Sequence, residues 1–486
     1  MLTPFRVGAG RRRARLMAIV ALALINVISL GAGAALAGML PAHLAQWKIP
    51  LVAGRRVVQP GALLAGAGGG SAPPSTAGLA ARLSGLLGTA ALGSHVTAVV
   101  ADQSTGKVLY SRDGGSPSAP ASTTKLATAV AALATLGPAA RFRTTVVQAG
   151  GARIVLVGGG DPTLAAGRPP ASDYPQPATL KTLAAATARA LRARHRHSVS
   201  IGYDASLYRG PGLAPGWPES YVSTGNVTDI TALEVDQGRL GRSGQPQDAD
   251  VPGNLRPRSE DPAGDAARAF ARYLAGDGIA VAGRPRPATA PHAAARLAAV
   301  SSPPLTAMVA QMLTESNNVI AENLARHVAI ATGRPATFSG AAAAVAGVDR
   351  RLGAGAGIHL VDGSGLSPDD RIPAATLVRL VGLAASPRHP GLRAVITGLP
   401  VAGFSGTLSA GQSVFGDLTA AARGVVRAKT GNLSTVVSLA GLAGDRDGTV
   451  LAFAFMADKV PSAGELTRAA GTIDKLAQAL AGCGCR

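Results

Sequence analysis

The chain has 486 residues, too many for one ordinary domain, and 47% of them are apolar, enough for a sizeable core. Aromatic residues make up only 3%, so alanine, valine and leucine must fill that core. The formal net charge of +20 favours anionic partners, but no long basic run or interleaved aromatic motif follows residue 15, which argues against nucleic acid.

Basic residues at 11–15, RRRAR, precede an uncharged apolar stretch at 16–40, long enough to cross a bilayer. That order predicts a cytoplasmic N-terminus and an exported remainder, either anchored or released by cleavage after Ala37. Glycine, alanine, serine and proline at 61–78 read as the end of a flexible linker spanning 41–78. Alternation on both sides of QSTG, from His95 to Asp113, then predicts a β-hairpin. Ser104 and Lys107 sit at its turn, where nothing holds their side chains together.

The stretch STTKLATAVAALATLGP, from Ser122, reads as a helix that Gly137 and Pro138 end. Two strands, an amphipathic helix and a short strand through Asp204 and Tyr208 follow. A loop-rich region, a helix and another strand lead to a helical stretch beginning near residue 304. A strand hairpin at 436–458 and a last helix near 464–480 close the chain. Strands at both ends with helices between them predict an α+β fold: an antiparallel sheet flanked by helices. The expected division places a catalytic domain at 79–145 and 301–480, an inserted domain at 146–300 and a tail at 481–486. Cys483 and Cys485 lie in that tail and are open to a disulfide, a weak metal clip or free thiols.

Ser122 and Lys125 carry the first chemical signal. Positions i and i+3 share a helix face, so the amine can reach the hydroxyl. Serine needs such a base, and a helix N-terminus adds donors for a developing oxyanion. Lysine is a base only when neutral, and lowering its pKa by about three units corresponds to roughly 4 kcal/mol. A second cation nearby would help, and Lys429-Thr430-Gly431 supplies one, with a hydroxyl for a carboxylate and a glycine for close approach. Ser316-Asn317-Asn318, between two helical patterns, offers a hydroxyl and an amide on one turn. Each motif alone is common; their order and contexts together match the set of serine β-lactamases and penicillin-binding proteins.

With GGGDPTL (158–164), APGWP (214–218) and VDGSGLS (361–367), the chain resembles the D-alanyl-D-alanine carboxypeptidases of peptidase family S13, the class C low-molecular-mass penicillin-binding proteins. The resemblance covers roughly 80–480 and implies a β-lactamase/transpeptidase-like domain with a smaller domain inserted between the SxxK and SxN motifs. It implies Ser122 as nucleophile, Lys125 as base, Ser316 and Asn318 as proton relay and substrate clamp, and Lys429 and Thr430 as carboxylate site. The backbone N–H groups of Ser122 and Asn432 would form the oxyanion hole. Asp204 and Tyr208 would lie near the side chain of the stem peptide. Pro368 stands where relatives carry an arginine for that side chain, with Arg371 three residues on. The implied substrates are peptidoglycan stem peptides, with cross-links a second target, and β-lactams would acylate the serine; no cofactor or metal is implied. A β-lactamase of class A would need Glu-x-x-x-Asn, which no glutamate here satisfies. A non-catalytic wall-binding protein would not be expected to keep all three motifs.

Overall fold

The computed structural model describes residues 72–169, 174–240, 256–409, 415 and 421–485. The apolar 16–40 segment lies outside the described residues. No helix among the described residues is long and apolar enough to cross a membrane.

Helix α1 (Thr76–Leu87) comes first, followed by strands β1 (Val96–Asp102), β2 (Val108–Arg112) and β3 (Pro117–Ser118) and helix α2 (Thr124–Leu136). The insertion contributes β4 (Arg143–Gln148), β5 (Arg153–Val157), α3 (Leu180–Arg192), β6 (Ser198–Asp204), α4 (Pro262–Gly276), β7 (Ala280–Val281), β8 (Arg286–Pro287) and β9 (Arg296–Ser301). Helices α5 (Leu305–Thr314), α6 (Asn318–Ala331) and α7 (Phe338–Arg351) follow, then β10 (Ile372–Pro373) and α8 (Ala374–Ala385). Strands β11 (Val426–Leu433), β12 (Val436–Gly444) and β13 (Val450–Ala457) and helix α9 (Leu466–Ala481) complete the described chain.

The main sheet has the order β11-β12-β13-β1-β2, and every pairing in it is antiparallel. Its central strands are buried on both faces because successive side chains point to opposite sides. Val99, Ala101, Ala452, Ala454 and Met456 join a core under α2 and α5–α8. Ala98, Val100, Phe453 and Phe455 face the other way, onto α1 and α9. Each large side chain so buried contributes about 1.5–3 kcal/mol. Alanines on the buried faces of α2, α6 and α7 let the helices of the first layer approach closely without aromatic filling.

The insertion has a second sheet, β7-β6-β5-β4-β9, with β8 also on β6. Strands β5, β6, β7 and β8 run parallel in their pairs, while β4 is antiparallel to β5 and β9. Arg143 pairs with Ser301, so the chain enters and leaves the insertion at one place. Its core, with Leu156, Leu183, Leu191, Phe270 and Leu274, is its own.

Two boundaries differ from expectation. The linker expected to run to residue 78 ends earlier, because Ser75 caps α1, its Oγ accepting from Gly78 N. The expected free tail is packed. Cys483 is fully buried, and its carbonyl accepts from Arg446 N at 3.0 Å. Cys485 O accepts from Ser75 N at 2.7 Å, and Cys483 and Cys485 form a disulfide.

Candidate active site

The turn before α2 is fixed by hydroxyls. Thr123 Oγ1 and Ser438 Oγ each donate to Pro120 O at 2.7 Å, pinning residues 120–123 against β12. Ala121 adopts φ +46°, a conformation L-residues seldom hold. Ser122 thereby lies in a single tight turn at the head of α2, partly exposed, while Lys125 one turn on is fully buried.

Lys125 Nζ has three partners: Ser122 Oγ at 2.9 Å, Asn318 Oδ1 at 2.7 Å and Ser364 O at 2.7 Å. Burial lowers its pKa from 10.5 to about 7, against the opposing pull of Asp362, Glu322 and Asp370. Lys429 Nζ donates to Ser316 Oγ and to Thr430 O, both at 2.8 Å. Its pKa is well below the ordinary lysine value, through burial first and the charge of Lys125 second. Burial is the first cause for both amines, and the repulsion between the two buried cations comes second to it.

Ser316 sits between α5 and α6 at φ +59°, and Asn317 caps α6, its Oδ1 accepting from Ile320 N at 3.1 Å. Thr430, on β11, is paired with Thr407 through their hydroxyls at 2.7 Å. Gly431 follows, and a Cβ there would lie 2.8 Å from Pro120 O and 3.1 Å from Ser122 N. Asn432 comes next on the same strand and is exposed.

Hydrogen bonds thus link Ser122, Lys125 and Asn318 in one set and Ser316 and Lys429 in a second, with Thr430 and Gly431 beside Lys429 on the same strand. Asp204 does not join them. It ends β6 in the insertion, and its carboxylate accepts from Ser206 N at 2.9 Å and Ala290 N at 2.7 Å, a turn-forming use. Tyr208 is buried and donates to Asn323 Oδ1 at 2.9 Å. Arg371 donates to Pro368 O at 2.6 Å and Asp370 O at 2.8 Å, folded back on its own loop. Ser104, the discarded alternative, donates to Asp102 Oδ1 at 2.6 Å.

Of the acids around Lys125, the sequence suggests Asp362 as a turn former, as found, and leaves Glu322 and Asp370 unnoticed. Asp362 forms the 361–367 loop, accepting from Ser364, Gly365 and Ser367 N–H groups and from Trp217 Nε1. Glu322 accepts from Gly363 N at 3.0 Å, and burial raises its pKa to about 8. It lies one helical turn beyond Asn318, a spacing that could have flagged it. Asp370 accepts from Val361 N at 2.7 Å and is raised well above the carboxylate range, again by burial.

A serine bonded to a buried, deprotonatable lysine, beside an antiparallel sheet, defines a serine acyl-transfer enzyme. The model of the D-Ala-D-Ala carboxypeptidase 3 (S13) family matches residues 79–250 and 242–480. A curated carboxypeptidase of Mycobacterium tuberculosis is 40% identical over 426 residues, covering 85% of this chain and 86% of its own. Carboxypeptidase DacB of Mycolicibacterium smegmatis is 39% identical over 423 residues, with the same coverage, 85% and 86%. Among solved structures, penicillin binding protein 4 of Haemophilus influenzae superposes with a TM-score of 0.64 at 21% identity, covering 82% of this chain and 99% of that one. Its complex with a novel β-lactam gives a TM-score of 0.57 at 20% identity, again over 82% and 99%. The chain belongs to the S13 family and is a serine-type D-Ala-D-Ala carboxypeptidase.

Proposed function

We propose that Ser122 is the nucleophile that is acylated by peptidoglycan stem peptides and by β-lactams, with Lys125 as its base. The observation that carries this is the partner set of Lys125. A neutral amine has two N–H donors and one lone pair. Asn318 Oδ1 and Ser364 O accept only, so they take the two hydrogens. The lone pair is left facing the Ser122 hydroxyl. With a pKa of about 7, about half of the Lys125 side chains are neutral at pH 7, against fewer than about one in a thousand for an ordinary lysine.

In this reading Ser122 Oγ attacks the carbonyl between the two D-alanines as Lys125 takes its proton. Backbone N–H groups of Ser122 and Asn432 stabilise the oxyanion, each such donor being worth about 10²–10³ in rate. Lys125 returns that proton through the Ser316 hydroxyl to the leaving D-alanine amine, and Asn318 holds the peptide. Lys429, protonated once a carboxylate arrives, and Thr430 bind the terminal carboxylate or its β-lactam equivalent. Gly431 lets the strand approach. Water then releases the acyl group. Cross-linked peptides are a second substrate of the same chemistry. The catalytic domain is assigned to 79–145 and 301–480 and the insertion to 146–300; the apolar 16–40 segment supports export, with or without a membrane anchor.

Intact mass measurement after incubation with a penicillin, followed by peptide mapping, tests the reading. One penicilloyl group on the peptide containing Ser122, and release of D-alanine from a D-Ala-D-Ala peptide, are expected. An adduct that persists in Ser122→Ala sinks the assignment.

A further inference from the structure

Both amides at the start of α6 are held from the insertion. Asn318 Nδ2 donates to Asn226 O at 2.9 Å, and Asn317 Nδ2 donates to Gln237 Oε1 at 2.8 Å. One guanidinium ties the two acceptor segments together. Arg258 Nε and Nη2 donate to Gly225 O at 3.0 and 2.9 Å, and its Nη1 donates to Gln237 O at 2.9 Å. Gln237 is 1% exposed, and its Oε1 also accepts from Arg239 Nη1 at 2.7 Å.

The backbone there is forced. Asp236, Gln237 and Gly238 hold φ of 51°, 55° and 67° in succession, and two of them carry side chains. Such strain persists only where surrounding structure over-determines it, and it concentrates at functional sites. Here the strained turn places one buried side-chain oxygen against the SxN motif.

The consequence is chemical. An amide offers oxygen on one side and N–H on the other. With Nδ2 committed to Asn226 O, Asn318 must present Oδ1 to Lys125. Reversed, it would direct N–H groups at Lys125 Nζ, and the lone pair would turn away from Ser122. Gln237 acts one residue earlier: by engaging Asn317 Nδ2 it fixes the helix cap between Ser316 and Asn318.

We propose that Gln237 is a positioning residue for acylation, through which the insertion sets the geometry of Ser316 and Asn318. This rests on the roles proposed above for Lys125 and Asn318. The test compares Gln237→Leu, Gln237→Glu and Asn317→Asp by stopped-flow acylation with a chromogenic penicillin. Leucine removes the acceptor at similar volume; glutamate keeps it; aspartate at 317 keeps the cap and loses the donor. Gln237→Leu and Asn317→Asp should each lower the saturating acylation rate about tenfold or more, with half-saturation unchanged. Gln237→Glu should stay within about twofold of wild type. Should Gln237→Leu fail to fold, as judged by its melting transition, Asn317→Asp is read in its place. Wild-type speed in Gln237→Leu or Asn317→Asp, or equal loss in Gln237→Glu, overturns the proposal. So does a change confined to half-saturation. Wild-type labelling at Ser122 reports on the parent reading separately, so the two failures are distinguishable.

Discussion

Lys125 is deprotonatable near neutrality although three carboxyl groups pull its pKa upward. Desolvation of the amine outweighs the pull of Asp362, Glu322 and Asp370, and the same burial raises Glu322 to about 8 and Asp370 well above its usual value. Acylation should rise with pH through about 7, because the base gains its lone pair there. Lys429→Ala should slow acylation and raise the penicillin concentration needed, while that rising limb stays near pH 7. A rate–pH series in the variant checks this, and an upward displacement of a full unit would give Lys429 a share in keeping Lys125 neutral. The SxxK, SxN and KTG motifs were readable because each is short and local. Glu322 and Asp370 were harder to read: the i+4 spacing from Asn318 hints at Glu322, but the effect of both on Lys125 depends on burial that only the folded chain supplies. Asp204 marks the opposite case: the resemblance pointed to it, and in the structure its oxygens serve the backbone of Ser206 and Ala290.

Strand β11 works by closeness. It lies at the outer end of the main sheet, and Gly431 brings it against the serine turn. A methyl group at 431 would meet Ser438 Oγ, Pro120 O and Ser122 N within 3.1 Å, so strand and turn could not both keep their places. Gly431→Ala should cut penicillin acylation by about tenfold or more and lower the melting transition through an overpacking cost of about 1–3 kcal/mol, measurable by labelling rate and calorimetry. An unaffected rate would show that the turn yields without consequence. At this scale the hairpins and α2 follow from alternation and stop signals. Helix α7, rich in alanine and glycine, carries weak periodicity; its buried face shows only once α6 packs against it. The signatures GGGDPTL and APGWP also find structural uses, with Gly160 O against His327 Nε2 at 2.9 Å and Trp217 against Asp362 at 2.8 Å.

For the molecule as a whole, the main domain, a sheet with helices on both faces, followed from strands at both ends of the chain, but the fate of the last residues did not. A short Gly-Cys tail reads as loose, yet Cys483 belongs to the core between α1 and α9. Deleting 482–485 should cost about 2 kcal/mol, from lost burial and from the acceptors of Ser75 N and Arg446 N, and lower the melting temperature by a few degrees. An unchanged transition would return the tail to the loose state first expected. The same clasp has a mechanical meaning. Any load applied to the chain ahead of Ser75 is shared at once with Cys485 and passes into α1 and α9, which lie on the face of the sheet opposite α2. The serine turn heads α2 on the other face, so strain entering at Ser75 must cross the sheet before it reaches Ser122 and Lys125.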